Sequence, residues 1–262
     1  MIGACLLAVG VARADALRLG GTGSGSKLLE VMADAYTKRY PGRQVEVVMP
    51  PLGSGGGLRA LAAGKLDMAV IARPLRPGET QAVKASEFAR TLLVLATGTG
   101  KRPQGWSRDD LARLYGGEIV VWDDGAPLRL IMRSPHESDS QLIRSLTPDI
   151  AAAYDAALAR TGMLVADHDL DAVEQLVRVP GAVGTTTLGL INTMRLPLRP
   201  LPLDGVTPSR ENLINNRYAL RKSYFLVTAA RPSPAVEEFL TFLASEPARK
   251  LLIQSDYLPF PR

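Results

Sequence analysis

The sequence predicts an α/β protein of two lobes joined by a double-strand hinge, and three observations carry that prediction. Short apolar runs rich in valine, leucine and isoleucine alternate with amphipathic stretches of helical period, the pattern of parallel strands joined by helical crossovers. The alternation restarts at Ser107 after a glycine-rich connection, TGTGKRPQG. After a proline-broken segment, LPLRPLPLDGVTPS, a last strand and helix follow, which are expected to return to the first lobe. The alternative arrangement is one continuous doubly wound sheet. With 262 residues and 46 % hydrophobic content, either can fill a sizeable core.

Ahead of the first strand, residues 1–16 read as a secretory signal peptide. IGACLLAVGVA is apolar but about a dozen residues long, short of the roughly 20 that span a bilayer, and ARADA offers small-x-small cleavage patterns after Ala14 or Ala16. No basic stretch precedes it, and a buried N-terminal element is the competing reading. Cys5, the single cysteine, lies inside it, so a mature chain would have no disulfide and no thiolate metal site. The expected compartment is the periplasm.

LRLGG then reads as a strand, SKLLEVMADAYTKRY as a helix stopped by Pro41-Gly42, QVEVVMP as a strand, GSGGGLRALAAGK as a helix and LDMAVIA as a strand. EFARTLLVLAT is a further strand. In the second region, Ser107 caps DDLARLYGG, with acidic residues in the first turn. APLRLIMR is a strand, ESDSQLIRSL, DIAAAYDAALARTG and DLDAVEQLVRV are helices, and GAVGTTTLGLI is a strand. RKSYFLVTAA and PAVEEFLTFLASEPARKLLIQ supply the closing strand and helix. The expected organisation is residues 17–96 with 221–262 as one lobe and 97–220 as the other.

The net charge of +5 suits an anionic partner, but the basic residues are scattered and aromatics are only 5 %, which argues against a nucleic-acid surface. Three helix starts carry the candidate chemistry. GGTGSGSK lacks the second glycine and the hydroxyl of a mononucleotide phosphate loop, and Ser26 stands where a dinucleotide fingerprint needs its third glycine. Ser24-x-x-Lys27 matches a serine-hydrolase nucleophile motif without its companion elements. What remains is an oxyanion cradle, in which unpaired N–H groups at a helix start, glycines and hydroxyls converge on an anion. PPLGSGGGLRAL repeats that grammar. RSPHESDSQLI adds Arg133 at a strand end and Ser138, Asp139 and Ser140 in the following first turn, where Glu137 or Asp139 is a candidate acceptor for a protonated oxyanion.

With these blocks in place, together with LARLYGGEIVVWDDGAPLRLIMRS, GAVGTTTLGLI, NNRYALRKSYFLVT and FLTFLASEPARKLLIQSDYLPFP, the chain resembles the periplasmic phosphate-binding proteins of phosphate ABC transporters, in the type II periplasmic binding protein superfamily. The resemblance implies a non-enzymatic, cofactor-free monomer that closes on an anion between its lobes and docks on a membrane permease. Carried over by position, it implicates Thr22, Gly23 and Ser24, then Ser54 and Gly55, then Arg133, Ser138 and Ser140. Two departures bear on the ligand. Where the family carries Ser-Asp after the third strand, this chain has Ala72-Arg73, so the proton acceptor is replaced by a cation; and Asp139 stands where a glycine is expected. Either the acceptor carboxylate has moved to Asp139 or Glu137, or the ligand is another oxyanion, an organic phosphate or a carboxylate. The remaining alternatives are an oxyanion-sensing regulatory protein of the same fold and a serine hydrolase using Ser24 and Lys27. Asp167 to Asp171 imitates a calcium loop without its glycine and glutamate and reads instead as a helix start with an acidic first turn. His136 and His168 have no evident partners for a metal, so no metal site is expected. Thr185 and Thr186 face the cleft or simply alternate along their strand, and Trp106 and Trp122 read as packing residues.

Overall fold

A computed structural model describes residues 16–100 and 105–260 of the protein; the segment expected to be a signal peptide lies outside these residues, apart from Ala16. The first lobe opens with β1 (Leu17–Gly21), α1 (Gly23–Arg39), β2 (Val45–Val47), α2 (Gly53–Ala62) and β3 (Met68–Ile71). β1 pairs in parallel with both β2 and β3, as the strand-helix alternation requires. All four residues of β3 are buried because both faces of the sheet are covered. Met68 and Val70 pack toward α1, Ala69 and Ile71 toward α2.

α1 begins at Gly23, three residues before the helix expected from the sequence, so much of the glycine-rich stretch is the first helical turn rather than a loop. Its buried stripe, Leu28, Leu29, Met32, Ala33 and Tyr36, follows the 3.6-residue period. Gly21 makes the turn possible. Its φ is +142°, and a Cβ there would stand 1.9 Å from the carbonyl oxygen of Val70.

β4 (Val83–Gly98) is a single 16-residue strand that serves both lobes. The second lobe contains α3 (Arg108–Gly116), β5 (Arg129–Arg133), α4 (Ser138–Arg144), α5 (Pro148–Ala159), β6 (Leu164–Ala166), α6 (Asp169–Arg178), β7 (Ala182–Thr187), α7 (Leu188–Met194), β8 (Leu198–Pro200) and α8 (Arg210–Ile214). The chain returns through β9 (Arg221–Ala229), α9 (Pro234–Leu243), α10 (Glu246–Gln254) and β10 (Leu258–Pro259). The strand order is β2-β1-β3-β9-β4-β7-β5-β6, with β8 and β10 also on β4. Up to Leu92, β4 pairs with β9; from Leu93 it pairs with β7. The two lobes therefore share one strand, and their cores are separate clusters.

Local chemistry sets the element ends. Ser107 caps α3 in a reciprocal capping box with Asp110, and Gly117 closes the helix in the left-handed region at φ 87°. GAVGTTTLGLI is not one strand. Thr187 ends β7 and its hydroxyl accepts from the N–H of Leu190, capping α7. The closing helix is two helices, because Ser245 adopts an extended N-cap conformation ahead of Glu246-Pro247. Trp106 and Trp122 stack on each other at 5.6 Å in the second lobe, as packing residues.

Candidate functional site

The N-terminal end of α1 points across the interlobe cleft at the start of α6. His168 caps α6, its Nδ1 accepting from the N–H of Asp171, which leaves Asp169 in the acidic first turn that the sequence suggests. That aspartate crosses to the other lobe. Its Oδ2 accepts from Thr22 Oγ1 at 3.1 Å and from the Ser24 N–H at 3.1 Å, so a carboxylate of the protein itself fills the α1 oxyanion cradle. Gly23 admits it: a Cβ there would lie 3.0 Å from Asp169 Cβ and 3.2 Å from its Oδ2.

Lys222, the second residue of β9, joins the two halves of this arrangement. It shares a face of β9 with Tyr224 and Leu226, and its ammonium bonds Asp139 and, at 3.2 Å, Asp169 Oδ1. Arg133 Nη1 stands 3.5 Å from both Asp139 Oδ2 and Asp169 Oδ1, while its Nη2 donates to Glu137 at 3.1 Å. All four of Arg133, Lys222, Asp139 and Asp169 are at most 3 % exposed. Burial works against the charge on Lys222, but Asp139 and Asp169 outweigh it and push its pKa up. Burial likewise opposes ionisation of Asp169, and Lys222, Arg133 and the Ser24 N–H overcome it, holding the carboxyl well below its usual range. Among these four, two formal positive charges face two negative ones, and Glu137 at the edge of the cluster adds a third carboxylate on Arg133. The Nε and Nη1 of Arg133 nevertheless have no hydrogen-bond partner, nor has Asp139 Oδ2.

Beside this cluster a cavity of about 230 Å³ separates the start of α2 from the loop before α4. Gly53, Ser54, Gly55, Arg73 and Arg76 line it from the first lobe; His136, Glu137 and Ser138 face them from the second. The Ser54 hydroxyl accepts from the Ala72 N–H at 3.1 Å and keeps its own proton to donate. Arg73 forks onto Glu79 through two bonds of 2.7 and 2.8 Å, which hold it at the cavity wall and lower the Glu79 pKa to about 2, chiefly through the Arg73 hydrogen bonds. Glu137 belongs to both regions. Burial raises its pKa, against the pull of Arg133.

Of the residues singled out in the sequence, Thr22, Gly23, Ser24, Arg133 and Asp139 meet in the buried cluster, and Ser54, Gly55, Arg73 and Ser138 meet at the cavity. Ser140 joins neither: its hydroxyl donates to the Ser134 carbonyl at 2.7 Å and bonds Tyr154 OH at 2.9 Å, bracing the Arg133 loop from behind. Thr185 and Thr186 are buried within β7, facing Leu95 and Val94 of β4. Ser24 and Lys27 do not form a nucleophile pair, since Ser24 Oγ accepts from Tyr224 OH at 2.7 Å and Lys27 bonds Glu30 at 2.7 Å. Asp169, Lys222 and Tyr224 escaped the sequence reading as site residues. For Lys222 a signal exists: it occupies the inward phase of a strand whose next inward residues are Tyr224 and Leu226, where an unpaired lysine is not tolerated. Among the described residues, no group of three or more His, Cys, Asp or Glu side chains is placed to hold a metal ion.

Known proteins of this architecture include anion binders. The phosphate-binding protein PstS of Borreliella burgdorferi is 23 % identical over 248 residues, covering 92 % of this chain and 88 % of its own. Among solved structures, a Clostridium perfringens chain with bound phosphate superposes with a TM-score of 0.80 at 17 % identity, covering 94 % of this chain and all (100 %) of its own. A phosphate-binding protein from Stenotrophomonas maltophilia gives 0.71 at 13 % identity, covering 94 % and 91 %. A family model described as a PBP superfamily domain matches residues 10–247, and the chain belongs to that family.

Proposed function

We propose that the protein is a periplasmic solute-binding protein that captures a small oxyanion, phosphate before others, between its lobes and delivers it as a monomer to the permease of an ABC importer. The observation that carries this reading is the convergence on one cavity of the α2 start, Ser54, Arg73 and Arg76 from one lobe with His136 and Ser138 from the other, next to the unsatisfied donors of Arg133. N–H groups at a helix start, hydroxyls and guanidinium forks are the donors an oxyanion needs. Among the described residues no helix is long and apolar enough to cross a membrane.

Glu137 supports phosphate over sulfate. It is the carboxylate on the cavity wall, and a carboxylate there accepts the proton that phosphate carries and repels a fully ionised oxyanion. Titration calorimetry with phosphate, sulfate, molybdate and small carboxylates tests the reading. Phosphate is expected to bind at micromolar concentration or below, and Arg133→Ala to weaken it about tenfold to a hundredfold, the worth of one charge-assisted hydrogen bond of about 1.5–3 kcal/mol. No heat with any of these anions would overturn the function; an unchanged affinity in Arg133→Ala would move the site.

A further inference from the structure

We infer that Asp169 is an internal anion: docked in the α1 cradle, it latches the lobes closed in the absence of ligand, and an incoming oxyanion gains the α1 donors only by displacing it. The inference deepens the proposed function and rests on it only for the displacing ligand. Four contacts of one carboxylate make the case. From the second lobe, Asp169 reaches Thr22 Oγ1, the Ser24 N–H and Lys222 Nζ of the first, and Arg133 of its own.

These are the contacts an external oxyanion would make, and the carboxylate already has them. The helix start supplies an N–H and a partial positive charge, Thr22 a hydroxyl, Lys222 an ammonium. Thr22 is the N-cap residue of α1, yet its hydroxyl makes no capping bond within its own helix and donates to Asp169 instead. Gly23 provides the clearance, since any Cβ at that position would press on Asp169 Cβ at 3.0 Å. Lys222 is shared between Asp139 and Asp169, both second-lobe residues, so the same interaction ties the lobes twice.

The charge balance gives the latch its selectivity. With Arg133 and Lys222 already matched by Asp139 and Asp169, and Glu137 also on Arg133, adding a phosphate dianion to the intact cluster would leave uncompensated negative charge in a site closed to water. Exchange of one anion for another avoids that cost. A tethered group competes at an effective concentration on the order of millimolar, so Asp169 sets a threshold that weakly held carboxylates do not pass and a multidentate oxyanion does. The cavity at α2 is where such an anion makes first contact.

Two variants test the latch from opposite sides. Asp169→Asn keeps the shape and removes the charge; Gly23→Ala keeps the charge and blocks its seat. Small-angle scattering on ligand-free protein is expected to give a compact wild type and a larger radius of gyration for both variants. Calorimetry with inorganic phosphate is expected to show Asp169→Asn binding at least tenfold tighter than wild type, because the internal competitor is gone. An unchanged radius in both variants overturns the latch, and opening without tighter phosphate binding overturns the displacement. If both variants open while phosphate gives no heat with any protein, the latch stands and the phosphate reading falls.

Discussion

Replacing Lys222 by methionine removes one atom group that two buried carboxylates depend on. Lys222 is 1 % exposed, bonds Asp139 and lies 3.2 Å from Asp169, and both aspartates are equally shielded from water. Methionine fills most of the volume, so the loss is electrostatic rather than a cavity. Breaking a buried pair by deleting one partner costs about 3–5 kcal/mol, which in a chain of this size lowers the melting temperature by about 6–20 °C. An exposed pair such as Arg178 with Glu174, 75 % and 61 % exposed, serves as the control, since Arg178→Ala should cost about 0.5 kcal/mol or less. Denaturant titrations across a pH series measure both.

The pH dependence has a definite sign. In the wild type Asp169 is held below its unfolded value, so its stabilisation is complete above about pH 5 and is lost progressively as pH falls through the unfolded value toward the depressed one. In Lys222→Met the burial that opposes ionisation of Asp169 loses its largest counterweight, and the penalty is relieved by protonation as pH falls. The gap between the proteins is therefore full at pH 7 and narrows on acidification. A deficit under about 1 kcal/mol at pH 7, or a gap that widens toward acid, would refute the reasoning, because either means that the ammonium does not compensate those charges.

Three other outcomes follow from the same structure. Ser107→Ala removes the acceptor of the α3 capping box and should cost about 1 kcal/mol, or about 2–4 °C in a melting curve. Gly21→Ala places a Cβ 1.9 Å from the Val70 carbonyl oxygen at φ +142°, and should yield insoluble chain on expression, with soluble, cooperatively melting protein as the contrary result. Glu137→Gln should stabilise the ligand-free protein at neutral pH, because burial disfavours its charge; the gain should fade as pH drops through the raised pKa and the wild-type carboxyl becomes neutral, as melting curves across pH will show.

How much of this was legible in the sequence depends on the distance between the residues involved. Period and punctuation act within a few residues, so β1, α2, β3 and the Ser107 cap stand out in the sequence alone, and so does the shared glycine-serine grammar of the α1 and α2 starts. Where pattern and structure part at element ends the causes are local too: the Thr187 hydroxyl caps a helix inside a stretch that reads as strand, and Ser245-Glu246-Pro247 breaks a stretch that reads as one helix. The candidate residues carry local signals, and the pairing with their partners in space carries none. Asp169 lies 145 residues beyond Ser24, and Lys222 lies 83 beyond Asp139. Nothing in a helix start with an acidic first turn distinguishes an aspartate that serves its own macrodipole from one that crosses to a neighbouring helix. That distinction is tertiary, and it changes the meaning of GGTGSGSK from a vacant cradle to an occupied one.

The shared strand β4 also sets a lever. It passes unbroken from one sheet to the other at Leu92 and Leu93, beside Leu220, whose carbonyl accepts from the Leu93 N–H at 3.1 Å. Any rotation of one lobe against the other must pivot near that point. Lys222 lies on β9, next to β4, only two residues past the pivot, whereas the start of α2, bonded through the Leu52 N–H to the Gly21 carbonyl at the end of β1, lies two strand spacings, or roughly 10 Å, farther out. The mouth of the cleft therefore has a long moment arm and the ionic cluster a short one. A few degrees of rotation displaces the outer rim, and with it the Asp169 bonds to Thr22 and Ser24 just past the end of β1, more than it stretches the bonds to Lys222, so the contacts of one carboxylate yield in sequence rather than together.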